Sequence, residues 1–386
     1  MARKEKAEVS AAADTNVIGA IVRKINAGRN DGDGYHVLSA DNVECHDFIS
    51  TGNFAINHAI SGRPITGGFP VGKVSEVFGE EASGKTLLST MCMIETQRRG
   101  GIAILLDTEH SFYPDFFVAQ GGNLDKIIQG EPETLEKVWD EMEKLVEIAR
   151  EICPDKYVTI VWDSVTTSSP KREMEGEMAE SEMGERAKLN SKGLRKLVPK
   201  LAKNKITLIC INQVRDKIGV MFGNPETTPG GRGWRFHASC RIRTAKRKSS
   251  LDRRKAIASR MVLVKNKVYL PWSEAEYVID YNRGVNPASG FMQCLKENEL
   301  LERSGSYYNV VGCEDAFQKK NAVSYFKSLL DSNFKGVEKI LGKDVDRIGT
   351  PEFNANMEHM KQKLALFSDA DSDMEENGES EKKRED

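Results

Sequence analysis

The sequence predicts an α/β fold with a mostly parallel central sheet covered by helices on both faces. Three observations carry this. From about residue 43 to about residue 285, short apolar runs alternate with helical patterns. The runs are near-continuously apolar, as in "GIAILLDTE" and "ITLICINQ", which is what strands buried on both faces require. Each of these runs stops on a glycine, an acid or glutamine, residues suited to the carboxyl edge of such a sheet, where ligands bind.

The elements follow in order. Residues 1–42 are helix-like and polar, then rich in Gly and Asp at "NAGRNDGDGY", and predict an N-terminal arm with a flexible link. "KVSEVFG" is a strand that runs into a glycine loop, and "TLLSTMCMIETQRR" is a helix. The strand "GIAILLDTE" precedes the long amphipathic helix "ETLEKVWDEMEKLVEIAREI". "YVTIVWDS", the helical "KLNSKGLRKLVPKLAKN" and the strand "ITLICINQ" follow. "ASCRIRT", "SRMVLVKNKVYL" and "AEYVIDYNRG" are expected to extend the same sheet in antiparallel fashion. The core is expected over 43–288 and a small C-terminal α+β domain over 289–367. The tail at 368–386 holds nine acids and three bases with no apolar period, and is expected to be disordered.

Composition excludes little, with 39% apolar and 30% charged residues and a net charge of -2. No apolar run approaches the roughly 18 residues of a membrane span, and the basic N-terminus has no apolar stretch after it to make a signal peptide. The seven cysteines are scattered without a Cys-x-x-Cys pair. They read as buried free thiols of a cytoplasmic protein, and their spacing argues against a zinc site.

The stretch "GEEASGKT" carries the first chemistry. Gly79, Glu80, Glu81, Ala82, Ser83, Gly84, Lys85 and Thr86 fit the phosphate-loop pattern, between a strand and a helix. The glycines let backbone N–H groups point at phosphate oxygens, the helix N-terminus adds positive charge, Lys85 reaches the β- and γ-phosphates, and Thr86 can ligate Mg²⁺. Asp163, ending "YVTIVWDS", is the expected second support for Mg²⁺. "AILLDTEH" ends another strand with Asp107, Glu109 and His110. Glu109 can orient or deprotonate the water that attacks the γ-phosphate. Asp107 reads as a surface turn acid and His110 as a residue holding the turn. Gln213, at the end of "ICINQ", can sense a γ-phosphate by hydrogen bond, although on spacing alone it reads as an Asn-Gln loop start.

Gln213 feeds directly into "IGVMFGNPETTPGGRG" at 218–233, where no regular element fits. Met and Phe on a glycine-rich loop predict contact with something other than the protein's own core. Nine Lys and Arg lie within 241–260 against one acid, Asp252, an electrostatic footprint for a polyanion. The stretch 170–188 reads as loop-like, with Met174, Met178 and Met183 along it.

Together these motifs resemble the RecA family of bacterial recombinases, including bacteriophage-encoded versions. The resemblance spans about residues 48–290 and rests on "ISTGNFAINHAI", "GEEASGKT", "DTEH", "EGEMAESEMG", "INQVRDKIGVMFGNPETTPGG" and "VKNK". It implies a P-loop ATPase core that polymerises with ATP and Mg²⁺ on single-stranded DNA, searches duplex DNA for homology and exchanges strands. Recombination, repair, the SOS response to DNA damage, loading mediators and a single-strand-binding protein come with it; a membrane does not.

By match of motif, Glu109 takes the place of the family's catalytic glutamate and Gln213 that of its γ-phosphate sensor. Lys265 and Lys267 fall on the pair that reaches across the filament interface to a neighbour's ATP, and Arg235 and Phe236 fall on interface positions. The segment 218–233 becomes the second DNA loop, with Arg215 at its start, Ile218 and Met221 as wedges between bases, and Gly230 and Gly231 approaching phosphates. Met183 belongs to the first DNA loop, and Ser191 and Arg195 match phosphate contacts. Arg232, where the family usually has Asn, adds a charge. Lys246, Arg247, Lys248 and Arg260 are the basic residues expected to meet DNA. Tyr113 replaces an Asp that bonds adenine, Phe116 replaces a stacking Tyr, and Tyr281 keeps a second aromatic. Pro229 stiffens the loop. A ring-shaped helicase on the same core, or an ATP-switched filament that protects single strands without pairing them, are the competing readings.

Overall fold

The structure is a computed structural model and describes residues 17–27, 35, 47–175, 184–216, 226–248, 251, 254–313, 315–332, 334–335 and 338–367. The chain divides into two units, residues 1–46 and residues 47–386. In the first, helix α1 covers residues 17–26. It is less polar than expected: Val17, Ile18, Ile21 and Ile25 are exposed along it, at the spacing of one helical face. The Asn26 side chain bonds the backbone of Tyr35 in both directions, at 2.6 and 2.7 Å.

In the second unit β1 (Phe48–Ile49) pairs with β2 (Phe69–Pro70), bracketing α2 (Phe54–Ser61). Asn53 starts α2 by accepting from the Ile56 N–H, which satisfies one of the helix's orphan donors. Then come β3 (Val74–Gly79), α3 (Lys85–Arg98), β4 (Ile102–Asp107), α4 (Pro114–Ala119), β5 (Ile127–Gly130), α5 (Leu135–Ile152) and β6 (Val158–Asp163). After the short α6 (Lys171–Glu175) and long α7 (Glu185–Lys203), β7 (Ile206–Gln213) leads to a small ribbon, β8 (Arg215–Asp216) with β9 (Glu226–Thr227). Helix α8 (Gly233–His237) and strands β10 (Cys240–Lys246), β11 (Ala256–Asn266), β12 (Glu274–Asp280) and β13 (Gly284–Val285) complete the core.

The main sheet has nine strands among the described residues, in the order β13-β12-β11-β10-β3-β7-β6-β4-β5. Six run parallel, from β10 to β5. The expected antiparallel extension is correct for β11 and β12, but β10 runs parallel to β3. The long connection from β7 through α8 supplies the crossover that a parallel neighbour needs. Edge strand β5, "IIQG", is an addition to the sequence reading; two apolar residues between polar ones give too short a signal.

Side chains alternate between the two faces of each strand. Ile104, Leu106, Ile160 and Trp162 face a cluster built with α5, α7 and α8, where the rings of Trp139, Trp162 and Trp234 meet. Leu105, Val161, Ile209 and Ile211 face α3 and a second cluster. That cluster continues into α9 (Pro287–Glu297), the antiparallel strands β14 (Leu301–Ser304), β15 (Tyr307–Val310) and β16 (Ala316–Gln318), α10 (Ala322–Asp331) and α11 (Pro351–Ala365). Phe291 of α9 lies 4.5 Å from Phe54 of α2, ring centre to ring centre. The buried Asp344 carboxylate accepts from the Ile65 and Thr66 N–H groups. Cys92, Cys153, Cys210, Cys240 and Cys294 are free and buried, and Cys313 is free and half-buried. No helix among the described residues is long and apolar enough to cross a membrane.

Candidate nucleotide site and nucleic-acid interface

The carboxyl edge of the sheet gathers the strand ends singled out by sequence. In register, Gly79 of β3 lies opposite Gln213 of β7, and Asp107 of β4 opposite Asp163 of β6. The loop from Gly79 to Thr86 turns over this edge into α3. Two glycines make the turn possible. A Cβ on Gly79 would fall 2.0 Å from the Thr244 carbonyl oxygen, and Gly84 holds a left-handed φ of 92°. Inside the turn, the buried Ser83 hydroxyl meets Thr244 Oγ1 at 2.7 Å and donates to the Glu80 carbonyl. Glu80, Glu81 and Ala82 form its exposed rim. Lys85 Nζ donates to the carbonyls of Gly79 and Glu80, at 3.2 and 2.6 Å. Burial lowers the Lys85 pKa, against the pull of Asp163, Glu109 and Glu81.

Thr86 Oγ1 donates to Asp163 Oδ2 at 2.8 Å, while Asp163 Oδ1 is buried with no partner. Burial pushes the Asp163 carboxyl up to about 7; the Thr86 bond opposes this, and Glu109 and Asp107 add to it. An orphaned carboxylate oxygen, beside a threonine hydroxyl and held at a raised pKa, fits a hard cation that takes oxygen ligands, as Mg²⁺ does. The peptide joining Asp163 and Ser164 is cis.

Asp107 is not the surface acid its position suggested. It is buried and accepts from the backbone N–H groups of Glu109, Ser111 and Phe112, at 3.1–3.3 Å. It thereby folds the turn that carries the exposed Glu109, whose N–H also donates to the Asp163 carbonyl at 3.2 Å. His110 sits in that turn at a φ of 52°, its Nδ1 3.6 Å from Glu131.

Behind Gln213 lies a polar network that sequence reading missed. The Thr166 hydroxyl accepts from the Gln213 N–H at 3.1 Å and donates to Asn212 Oδ1 at 2.8 Å. The Asn212 amide donates to Glu76 Oε1 at 3.0 Å and to the Pro229 carbonyl at 3.1 Å. Arg241 Nε donates to Glu76 Oε2 at 2.5 Å, its Nη2 reaches Thr228 Oγ1 at 3.3 Å, and its guanidinium lies over the Phe78 ring. One signal was available: an acid inside the apolar "KVSEVFG" and an arginine inside "ASCRIRT", because a charge on a buried strand needs a partner.

Network and ribbon together frame the Gly-rich loop. Arg215 pairs with Thr227 and Asp216 with Glu226, so the segment 218–233 is not wholly irregular: its base is stranded and its end enters α8. Ile218, Met221 and Met183 lie outside the described residues. Helix α6 and the start of α7 replace the loop expected at both ends of 170–188. Arg186 holds α7 to the loop after β6, through Glu173, Ser169 and the Thr166 carbonyl. The returning chain lies on α7: a Cβ on Gly231 would meet Ala187, and one on Gly233 would meet Ser191. Beneath Gly230, the Asn190 amide and Trp234 Nε1 are buried without partners. The structure therefore brings Ser191, Arg195, Gly230, Gly231 and Arg232 to one region, with Arg195 and Arg232 exposed.

The basic run is less uniform than its sequence. Arg241 is buried against Glu76, Arg243 pairs with Glu226, Arg247 with Glu276 and Arg260 with Glu274. Lys246 and Lys248 are exposed, and Lys246 lies near enough to Lys85 to lower its pKa. Lys265 Nζ donates to the carbonyls of Arg235 and Phe236, at 2.6 and 3.1 Å, gathering these residues with Lys267. Phe236 is 71% exposed there. Lys265 pairs with Arg241, which pairs with Glu76, three residues before Gly79. That is about 10 Å back along the strand from the phosphate loop. Tyr113 caps α4 and is exposed, and Phe116 is half-buried. Gln120 at the end of α4 abuts Gly284, so the exposed Tyr281 is on the neighbouring element.

The family profile described as the RecA N-terminal domain matches residues 20–286. Protein RecA of Mesoplasma florum is 35% identical over 310 residues, 80% of this chain and 86% of its own. Protein RecA of Wolbachia sp. subsp. Brugia malayi is 35% identical over 329 residues, covering 85% of this chain and 89% of its own. Protein RecA of Rhodopirellula baltica is 38% identical over 264 residues, 68% of each chain. With the phosphate loop, the paired strand-end acids and these matches, the chain belongs to the RecA family, and with it to the ATP- and DNA-binding proteins of recombination and repair.

Proposed function

We propose that the protein is a DNA-dependent ATPase that polymerises on single-stranded DNA, pairs that strand with homologous duplex DNA and exchanges strands, hydrolysing ATP between subunits. The observation that carries this reading is the continuous hydrogen-bonded path from Gln213 to the loop base at Thr228 and Pro229. A γ-phosphate sensed by Gln213 and a DNA strand held by the loop would act on the same few side chains.

In this reading the backbone N–H groups of 79–86 and Lys85 hold the phosphates. Glu109 orients the attacking water and takes its proton. Thr86 and Asp163 would hold Mg²⁺, which neutralises charge on the β- and γ-phosphates. Lys265 and Lys267 act on a neighbouring subunit's ATP, in keeping with their distance from their own phosphate loop. Phe116 and Tyr281 flank the base. The apolar stripe of α1 docks on the next copy of the chain. Ser191, Arg195, Arg215, Gly230, Gly231 and Arg232 contact the DNA backbone.

The test is ATP turnover with and without single-stranded DNA, run beside a joint-molecule assay with homologous duplex. Turnover stimulated by DNA together with joints supports the reading. Stimulated turnover without joints identifies a helicase motor or a protective filament instead. Turnover indifferent to DNA removes the DNA-dependent ATPase itself.

A further inference from the structure

Helices α2 and α9 meet through the ring pair Phe54 and Phe291, and a second group gathers at this contact. His58 of α2 and Cys294 and Glu297 of α9 each present one ligand atom, and the three atoms lie within 4.8 Å of one another. Cys294 and Glu297 are three residues apart and so share a helix face. Neither the His58 ring nitrogens nor Cys294 Sγ has a hydrogen-bond partner among the described residues. Glu297 Oε1 accepts from Gln293 at 2.5 Å, which leaves its second oxygen for another use.

The Tyr269 ring lies edge-on to the imidazole, ring centres 6.0 Å apart. Burial lowers the His58 pKa, and the nearby Asp344 carboxylate pulls the other way.

We propose that His58, Cys294 and Glu297 form a binding site for a thiophilic divalent transition ion, Zn²⁺ by its ligand set, which clamps α9 to α2. Binding forms a sulfur–metal bond and releases the Cys294 thiol proton to solvent. The thiolate and the carboxylate then neutralise the dication, and the neutral imidazole completes three protein ligands. The fourth tetrahedral position, on the exposed Glu297 side, goes to water. Metal–ligand distances of about 2.0–2.3 Å set neighbouring ligands about 3.3–3.8 Å apart. The present spacing therefore closes by roughly 1 Å, a movement the exposed Glu297 side chain can make. Mg²⁺ and Ca²⁺ prefer oxygen ligands, so a sulfur ligand sets this site apart from the nucleotide edge. The reading against zinc rested on cysteine spacing alone, which does not register a histidine brought in from another helix.

The test is titration of the reduced full-length protein with Co²⁺, watching for the thiolate-to-cobalt charge-transfer absorption. One equivalent should produce the band, and Zn²⁺ should bleach it. Cys313→Ser should keep the band and Cys294→Ser should abolish it. Because Cys294 is buried and replacing it can itself destabilise the fold, Glu297→Gln, at an exposed position, provides a second arm and should weaken Co²⁺ binding about tenfold or more. No band in the wild-type chain overturns the site, as does a band that survives Cys294→Ser. A Glu297→Gln variant with unchanged affinity also overturns it as drawn.

Discussion

Glu109 owes its position to the residue two before it. Asp107 binds three backbone N–H groups of the turn, and that turn presents the Glu109 carboxylate at the edge of the sheet. Glu109→Gln should therefore lower ATP turnover by about 10²–10⁴-fold and leave ATP-dependent binding to single-stranded DNA intact. Turnover and fluorescence anisotropy on the same preparation decide it: a variant that keeps its turnover moves the base elsewhere. Arg232 is exposed and makes no ion pair among the described residues. Arg232→Asn should weaken single-strand affinity and reduce the salt slope by about 0.7; an unchanged slope takes Arg232 off the phosphate. At this scale the strand-end acids were legible, because glycine, lysine and acid spacings are local. The role of Asp107 was not, since a strand-terminal Asp reads the same whether it bonds water or the turn that follows.

Among the elements, the phosphate-loop strand β3, strand β7 and the loop base are joined through one buried ion pair. Removing one partner of such a pair costs about 3–5 kcal/mol, whereas replacing both can be nearly neutral. Arg241→Met should thus destabilise the protein strongly, and the double variant Glu76→Gln, Arg241→Met should recover much of that loss. The double variant still lacks the guanidinium that holds Thr228. Its basal ATP turnover should persist while DNA stimulation falls several-fold, read as the ratio of turnover with and without single-stranded DNA. Full stimulation in a well-folded double variant would remove the relay. Beyond the hint of a charge inside each of two apolar strands, the partnering was not readable along the chain, because Glu76, Asn212 and Arg241 meet only once the sheet has formed. The same non-locality hid the parallel β10, the β8–β9 ribbon and the acids across from Arg243, Arg247 and Arg260. Strand and helix identities were legible, because apolar runs and helical periods are set by neighbours in sequence.

For the whole molecule, composition gave an arm, a core and a C-terminal region as expectations, and the packing of α11 against α3 was not readable from it. The stripe of Val17, Ile18, Ile21 and Ile25 on α1 supports the docking of one copy on the next. Ile21→Glu with Ile25→Glu should leave ATP binding intact and abolish filaments by light scattering and electron microscopy; filaments of normal length would take α1 out of the interface. The C-terminal helix α11 is fastened differently, around the fully buried Glu95 of α3. Glu95 meets Arg98 at 2.8 Å, Lys363 of α11 at 3.4 Å, and His359 of α11. Burial alone would raise the Glu95 pKa, but Lys363, then His359 and Arg98, outweigh it and hold the carboxyl below its ordinary range. A depressed folded-state value means the stabilisation is complete above about pH 4.5, the ordinary glutamate value, and is lost as the pH falls below it. Glu95→Gln leaves the cations without their counter-charge and should cost about 3–5 kcal/mol at neutral pH. The gap between wild type and variant, taken from urea unfolding midpoints between pH 7 and roughly pH 3.5, should stay level down to about pH 5 and then narrow. A gap that holds constant to the acid end would mean that α11 is held by packing of Phe353, Met357 and Met360 rather than by the charge on Glu95.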